Sequence, residues 1–564
     1  MNKIIVIGGV AGGASAAARI RRLDEAAVIT MYEKGAHVSF SNCALPYFLS
    51  RKVKHSGDLV LMNPSKFKSL YNIDAFIKHE VIKILPNEKK VLVKNLETNE
   101  VFEDKYDSLI LSPGAIPIMP RSIKGIDLPH VFNVRNVEDI RRIDSYIKEH
   151  NVEDVAVIGG GFIGIEVMEN LRESGINTVL IEASDQVMMP FDKDMVQILH
   201  KEIIDNNVNL VLNDGLLEIN EDKVITSSKK EFKAHMVIMA IGVRPEVSLA
   251  VDAGIKLGVS GAIEVDANFR TNYNDIYAVG DAIQTFSSLT HKPTRLTLAG
   301  PAQRQARIAA DSIYKRPRNN KGVIGSSAVR IFDLNAASTG LNEKQCIKEG
   351  FQFDYVYIIP KDIVGIMPDA NPIHFKLIFE VPTGRILGAQ AIGKGNVDKR
   401  IDVIATMITM NGTLYDLEEL ELSYSPLYNN AKDVVNQAAM TGINILNKEF
   451  KQIKVSEIRS LYEQGACIID CREEIEYNKS HIIGAINIPT SQFRDRLSEI
   501  PKDKPVYFHC HSGQRSYTTV RALGNLGYDN VYNISGSYLG LCLYEYYTDL
   551  VSKREKIVTD YNFI

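Results

Sequence analysis

Two cysteines in this chain stand where sulfur chemistry could be done. Cys43 lies in the run Ser39-Phe40-Ser41-Asn42-Cys43-Ala44-Leu45-Pro46-Tyr47, and the residues that follow it hold no second cysteine. A thiolate attacks the sulfur of a disulfide or persulfide. A cysteine with no local partner therefore draws its second sulfur from a substrate, as a mixed disulfide, or takes oxygen as a sulfenic acid. Cys510 heads the run Cys510-His511-Ser512-Gly513-Gln514-Arg515-Ser516, directly behind Pro-Val-Tyr-Phe-His. A cysteine opening a loop onto a helix N-terminus has its thiolate stabilised by the converging N–H groups, and here by Arg515. Cys346, Cys467, Cys471 and Cys542 lack such settings and read as structural.

The elements that must position Cys43 are two dinucleotide turns. Lys3 to Ile7 reads as a buried parallel strand, followed by Gly8-Gly9-Val10-Ala11-Gly12-Gly13 and an alanine-rich helix to about Arg22. The glycines let backbone approach a pyrophosphate at the helix N-terminus, and Glu33, twenty residues past Gly13, sits where an acid bonds ribose hydroxyls. Val10 takes the place of the middle glycine, which weakens this fingerprint. The second turn is complete: Val155 to Ile158 leads into Gly159-Gly160-Gly161-Phe162-Ile163-Gly164, with Glu166 in the helix and Glu182 after the next strand. Two such turns imply two dinucleotides. A carboxylate at Glu182 pairs with a free ribose 2'-hydroxyl and opposes a 2'-phosphate, so NADH is expected, with NADPH left possible.

Composition sets the frame. At about 150 residues per domain, 564 residues make three or four domains. With 65 basic and 69 acidic residues interspersed, a net charge of -4 gives no reason to expect nucleic acid or an anionic membrane. The chain opens on Met-Asn-Lys and a strand rather than a signal peptide, its cysteines are scattered, and no apolar run is long enough to span a bilayer. A reduced, cytoplasmic setting is the expectation, and no metal site is expected.

Further segments fall between and after the turns: Ser112-Pro113-Gly114-Ala115 behind the strand SLILS, the strand MVIMAIG with Gly242, and the segment ending in Gly280-Asp281. With the turns, they resemble the two-dinucleotide flavin disulfide reductases over residues 1 to about 440. The resemblance implies FAD at the first turn and nicotinamide at the second. Asp281 then orders the flavin ribityl chain, the alternative being an ordinary helix N-cap. It places Gly8, Val10, Ala11, Gly12, Glu33, Lys34, Val81, Ser112, Gly114, Arg135, Asp281 and Ala299 on the flavin nucleotide. It places Gly159, Gly161, Phe162, Ile163, Gly164, Glu182 and Gly242 on the nicotinamide nucleotide.

Within that group, SFSNCALPY with its single cysteine resembles coenzyme A disulfide reductase and its persulfide-reducing relatives. The likeness implies that Ser15, Arg19, Arg22, Ser39, Asn42 and Gln303 line a coenzyme A site, the arginines offering charge-assisted contacts to phosphates. Val397 to Val403, and Tyr424-Ser425-Pro426-Leu427-Tyr428 through Lys432-Asp433, match the family's dimerisation domain. By that likeness the chain is a homodimer with shared active sites, Tyr424 reaches the partner's site and Lys432 a substrate phosphate. Two departures touch the pocket: Ile366-Met367-Pro368-Asp369 replaces a tyrosine pair before Pro-Gly, and Tyr71 stands where a substrate-binding lysine is sometimes found. Related NADH peroxidases and oxidases usually carry His at the place of Ala11, so its absence favours sulfur over oxygen chemistry.

After about Ile445 a linker rich in Asn and Lys (NKEFKQIK) leads into a smaller α/β unit, where Asp470-Cys471-Arg472, His481 to Pro489 and the Cys510 loop resemble a rhodanese domain. The loop between Cys510 and Arg515 is shorter than in phosphatases of related fold, which favours sulfur as cargo. The expected fold is α/β: two Rossmann-like dinucleotide domains (FAD in 1–115 and 250–322, NAD(P)H in 116–249), an α+β dimerisation domain (323–445) and a C-terminal rhodanese domain (452–560). The expected function is NADH-driven reduction, through FAD and Cys43, of coenzyme A disulfide, coenzyme A persulfide or polysulfide sulfur, with Cys510 handling sulfane sulfur. Coenzyme A is substrate or bound carrier. An NADH oxidase or peroxidase cycling a Cys43 sulfenic acid, and a redox-regulated sulfur-carrier module, stand as alternatives.

Overall fold

The computed structural model describes residues 2–316, 318 and 320–563. They form two compact units, one of residues 1–185 and 211–323, the other of 186–210 and 324–564.

The first unit is built on two parallel sheets. In one, the strand Lys3–Ile7 sits between Val28–Tyr32 and Ser108–Leu111, with Asp74–Phe76 and Ile276–Ala278 at the edges. Its three central strands are buried beyond their first residues, as a parallel sheet covered on both faces requires. The helix Ala11–Leu23 packs against the helix Ala299–Ile313 through small residues such as Ala16, Ala17, Ala306 and Ala309. In the other sheet, Asp154–Ile158 is flanked by Asn177–Ile181 and Met236–Met239, with Val131–Phe132 beyond. In both sheets the chain leaves the central strand straight into a glycine turn and a helix. That puts both turns at the carboxyl ends of their strands, where α/β sheets bind ligands.

The second unit holds an antiparallel sheet in the order Ser327–Ile331, Leu334–Gly340, Ile386–Gly393, Ile373–Glu380, Phe353–Ile358. The helix Val397–Thr409 covers it. A five-stranded parallel sheet follows, ordered Lys451–Ile453, Val531–Ile534, Val506–His509, Cys467–Asp470, Ile486–Asn487. Its first strand lies inside the stretch read from sequence as linker, which is a correction. Lys-Gln-Ile is too short and polar to show a period of its own, and it becomes a strand by pairing with Val531–Ile534.

The helix Lys193–Asp205 also belongs to the second unit and packs on the helix Ser537–Ser552. With it comes a buried charge cluster. Lys376, fully buried, donates to Asp194 at 2.8 Å and to Glu343 at 2.5 Å and lies 3.2 Å from Asp192, while Lys454 pairs with Glu343 from the other side.

Candidate active site

The two glycine turns repeat one geometry. Gly8 has φ +92°, and a Cβ there would fall 2.1 Å from the Ser112 carbonyl oxygen; a Cβ on Gly13 would fall 1.8 Å from the Gly8 oxygen. In the second turn a Cβ on Gly159 would lie 2.5 Å from the Ala240 oxygen, and one on Gly164 1.9 Å from the Gly159 oxygen. Gly13 and Gly164 are demanded by the packing of helix on turn, and Gly8 and Gly159 by the close pass of backbone leaving the neighbouring strand. Gly161 is different: a Cβ there would meet no described protein atom within 4 Å, so its missing side chain keeps open space rather than filling it. At the matching place in the first turn, Val10 has φ -99°, a negative value that does not itself call for glycine.

Each turn carries an acid held in the same way. Glu33 accepts from the Gly9 N–H at 2.9 Å and the Gly35 N–H at 2.7 Å, and Glu182 accepts from the Gly160 and Ser184 N–H groups, both at 2.7 Å. Each carboxylate oxygen so engaged keeps further acceptor capacity for a ribose hydroxyl. Gly280, whose N–H donates to Gln305 at 2.8 Å, sets the short turn that carries Asp281. Val279, not Asp281, occupies its N-cap position, and the Asp281 carboxyl, with no hydrogen bond or ion pair among the described residues, is pushed up by burial alone. Open glycine cradles, two pinned acids and an unpartnered buried carboxyl fit a pair of dinucleotides.

The segment bearing Cys43 is fixed to the first turn by the Ser39 N–H, which donates to the Gly9 carbonyl at 2.7 Å. Cys43 sits exposed in the single 3-10 turn Asn42–Ala44. Partial burial of the sulfur pushes its thiol up, the Glu166 and Asp281 carboxylates add to this, and its own N–H opposes them. Glu166, on the second-turn helix Phe162–Glu173, is itself raised to about 7 by burial and then by Glu169. On the same helix Asn170 bonds the Ser50 hydroxyl at 2.5 Å, tying the chain just after Cys43 to it. Sequence reading noted Glu166 but gave it no role, because nothing local marks which face of that helix meets Cys43.

The remaining expected residues of this unit are spread around the turns. Gly12 packs on Ser112, Gly114 and Gly242 have positive φ, and Phe162 and Ile163 open the second-turn helix. Ala299 starts the helix that ends at Ile313, and Gln303, Asn42, Arg22 and Lys34 are exposed. The Val81 side chain is part of the core, so only its backbone can face a ligand. Ala11, Ser15 and Arg135 are partly buried, and the Arg135 N–H donates to Asp139. Arg19 donates to Asp311 at 2.7 Å, and Asp311 also receives Arg318 at 2.5 Å, so the Arg19 guanidinium is already engaged. Tyr71 packs on Phe67, their ring centroids 6.4 Å apart. In the second unit Tyr424 is half-exposed, beside exposed Leu427 and Tyr428, and Lys432 is exposed.

The strand Val506–His509 delivers Cys510 to the mouth of the helix Gln514–Asn525. Gly513, at φ +103°, turns its N–H onto the Cys510 sulfur at 3.2 Å, and the Ser516 hydroxyl approaches it at 3.6 Å. Ser537 accepts from the Cys510 N–H at 2.7 Å. Arg515 donates to both oxygens of Glu476, at 2.6 and 2.7 Å, and its charge also acts on Cys510. Neither Glu476 nor Ser537 was legible in sequence, since each comes to the loop from a distant part of the chain.

The turns and the partnerless cysteine define a dinucleotide-dependent thiol oxidoreductase, and the chain belongs to the pyridine nucleotide-disulphide oxidoreductase family, whose model matches residues 2–306. The family's dimerisation domain matches residues 326–433, and a rhodanese-like domain matches 454–542. Among curated relatives, the coenzyme A disulfide reductase of Staphylococcus epidermidis is 35% identical over 437 residues, 77% of this chain and 98% of the relative. Among solved structures, reduced Bacillus anthracis CoADR-RHD is 43% identical with a TM-score of 0.94, covering 97% of this chain and 98% of that one. A NAD-dependent persulfide reductase from A. fulgidus is 33% identical with a TM-score of 0.91, covering 96% and 99%.

Proposed function

We infer that the chain is a flavin-dependent NAD(P)H oxidoreductase that reduces coenzyme A disulfide or persulfide sulfur at Cys43, and that its rhodanese domain handles sulfane sulfur at Cys510. One observation carries the reading. Cys43 is the only cysteine in residues 1–323, and it stands beside two dinucleotide cradles. The disulfide it forms must therefore be made with a sulfur it does not own. When bound, FAD and NAD(P)H supply the electron pair that returns Cys43 to the thiolate.

The chain's own residues do the rest. Cys43 attacks one sulfur of the substrate, forms a mixed disulfide and expels a thiolate or hydrosulfide. Glu166, near half-protonation at neutral pH, is suited to hold the proton the thiol gives up. Arg22, Ser15, Asn42 and Gln303 are assigned to the substrate, with Arg19 oriented by Asp311. Glu182 supports NADH over NADPH, and the exposed Tyr424, Leu427 and Tyr428 support a homodimer in which Tyr424 and Lys432 serve the partner's site.

The test is anaerobic NADH oxidation with coenzyme A disulfide, coenzyme A persulfide and inorganic polysulfide side by side, in the parent and in Cys43→Ser. Turnover with at least one sulfur substrate, lost in Cys43→Ser while FAD stays bound, supports the reading. NADH consumption that tracks oxygen and ignores all three sulfur substrates would replace it with an oxidase.

A further inference from the structure

In sequence Cys471 reads as a structural cysteine, but the fold gives it a specific neighbour. Asp470 and His509 are partners across the parallel strands Cys467–Asp470 and Val506–His509, and the Cys471 N–H donates to the His509 carbonyl at 2.8 Å. The residue just past the end of each strand is a cysteine, Cys471 after one and Cys510 after the other. Neighbouring strands lie about 4.7–4.9 Å apart, inside the Cα separation of about 4.4–6.8 Å that a disulfide spans. Side chains at paired positions of a parallel ladder leave the sheet on the same face.

The surroundings of the two thiols agree with a shared face. Cys510 meets the Ser516 hydroxyl, and Cys471 interacts with the hydroxyls of Thr490 and of Thr519, one turn farther along the same helix. Both cysteines are buried, at 0% and 1% exposure, so nothing from solvent competes for the space between them. Burial pushes the Cys471 thiol up and the charge of Cys510 adds to it, so the two sulfurs lie close enough to feel each other's charge.

We propose that Cys471 is the resolving thiol of Cys510, attacking the inner sulfur of a Cys510 persulfide to give a Cys471–Cys510 disulfide and hydrosulfide. This rests on the reading that Cys510 carries sulfane sulfur. In balance, Cys510-S-S⁻ and Cys471-SH become Cys510-S-S-Cys471 and HS⁻. The S–S bond to the outer sulfur breaks and a new one forms to Cys471, the thiol proton leaves with the hydrosulfide, and the sulfane sulfur takes the electron pair that the two thiols give up. Two equivalents of a small thiol reopen the disulfide. When that thiol is coenzyme A, the product is coenzyme A disulfide, the substrate assigned to Cys43, which gives the two chemistries a shared currency within one chain.

The experiment uses the full chain with Cys43→Ser, so that the flavin-side thiol holds no sulfur. The protein is loaded with inorganic polysulfide under anaerobic conditions and freed of excess. Free sulfide, cyanide-labile sulfur and non-reduced peptides are then measured. The expected result is sulfide equal to the sulfur loaded and a peptide linking Cys471 to Cys510. Adding Cys471→Ser, or Cys471→Val as a second variant that keeps an apolar side chain, should abolish the release and leave the sulfur cyanide-labile on Cys510. A parent protein that loads sulfur, keeps it and yields no linked peptide overturns the resolving role alone. Failure of Cys510 to load in any of these proteins overturns the rhodanese reading with it.

Discussion

Glu182 accepts the Gly160 N–H at 2.7 Å, so the acid proposed to read the second nucleotide is clamped to the second glycine turn. The clamp is the Gly160 amide on one oxygen and the Ser184 amide on the other, and under the proposed function it fixes a negative charge where a 2'-phosphate would come. Two unit charges 4 Å apart repel by about 1 kcal/mol in water and by about 4 at the effective dielectric of a protein surface. Changing Glu182 to Ala should therefore raise the NADPH to NADH ratio of kcat/KM by roughly tenfold or more. A parent enzyme that already prefers NADPH would show the carboxylate to be misread.

The glycines of the second turn separate packing from binding. Gly164→Ala forces a Cβ to within 1.9 Å of the Gly159 oxygen and should cost about 1–3 kcal/mol, visible as a lower Tm without any ligand. Gly161→Ala meets no protein atom, so it should leave Tm unchanged and instead raise the KM for the nicotinamide nucleotide. Equal losses of stability in both would contradict the assignment of Gly161 to ligand space.

Cys43 carries a pH prediction. Its thiol is raised by burial and then by the negative charges of Glu166 and Asp281, so removing either charge should bring it down. In Glu166→Gln the pH profile of iodoacetamide alkylation at Cys43 should shift to lower pH, with faster alkylation below the midpoint. Because Glu166 itself titrates at about 7, the contrast with the parent should widen as pH rises through that value. A parent and variant with superimposable profiles would remove Glu166 from the site.

The buried lysine makes a stability prediction. Lys376→Met leaves Asp192 and Asp194 crowded together without their cation and Glu343 with Lys454 alone. Removing one partner of a buried ion pair typically costs about 3–5 kcal/mol, so denaturant unfolding of the variant should show a second unit weakened on that scale. Acid should narrow the difference. Glu343 is held below its usual range mainly by Lys376, so the stability it contributes in the parent is present at neutral pH and lost as pH falls through its lowered value.

What sequence reading reached depended on how local the signal was. Both turns, the lone Cys43 and the Cys510 loop are runs of neighbouring residues whose types follow from backbone geometry, and each appears in the structure as an unbroken segment. Arg19 was legible as a cation but not as one already engaged by Asp311, almost three hundred residues on. Glu166, Glu476 and Cys471 gain their meaning from an adjacent helix, a facing loop and a neighbouring strand. A pairing of that kind leaves no trace in spacing along the chain. The strand Lys451–Ile453 failed for a related reason, since its stability comes from the edge it joins rather than from its own pattern.

The helix Lys193–Asp205 has a consequence for how such a protein can be taken apart. It lies within residues 116–249, expected from sequence to bind NAD(P)H, yet with Asp192 it supplies two of the three acids around Lys376. A fragment begun at residue 324 would carry Lys376 and Glu343 but neither aspartate, and would expose the face of Ser537–Ser552 on which that helix packs. The C-terminal half is thus not a portable module in the sense that gene fusion suggests. Any transplant of the rhodanese chemistry onto another scaffold must bring along a length of chain encoded far upstream of it.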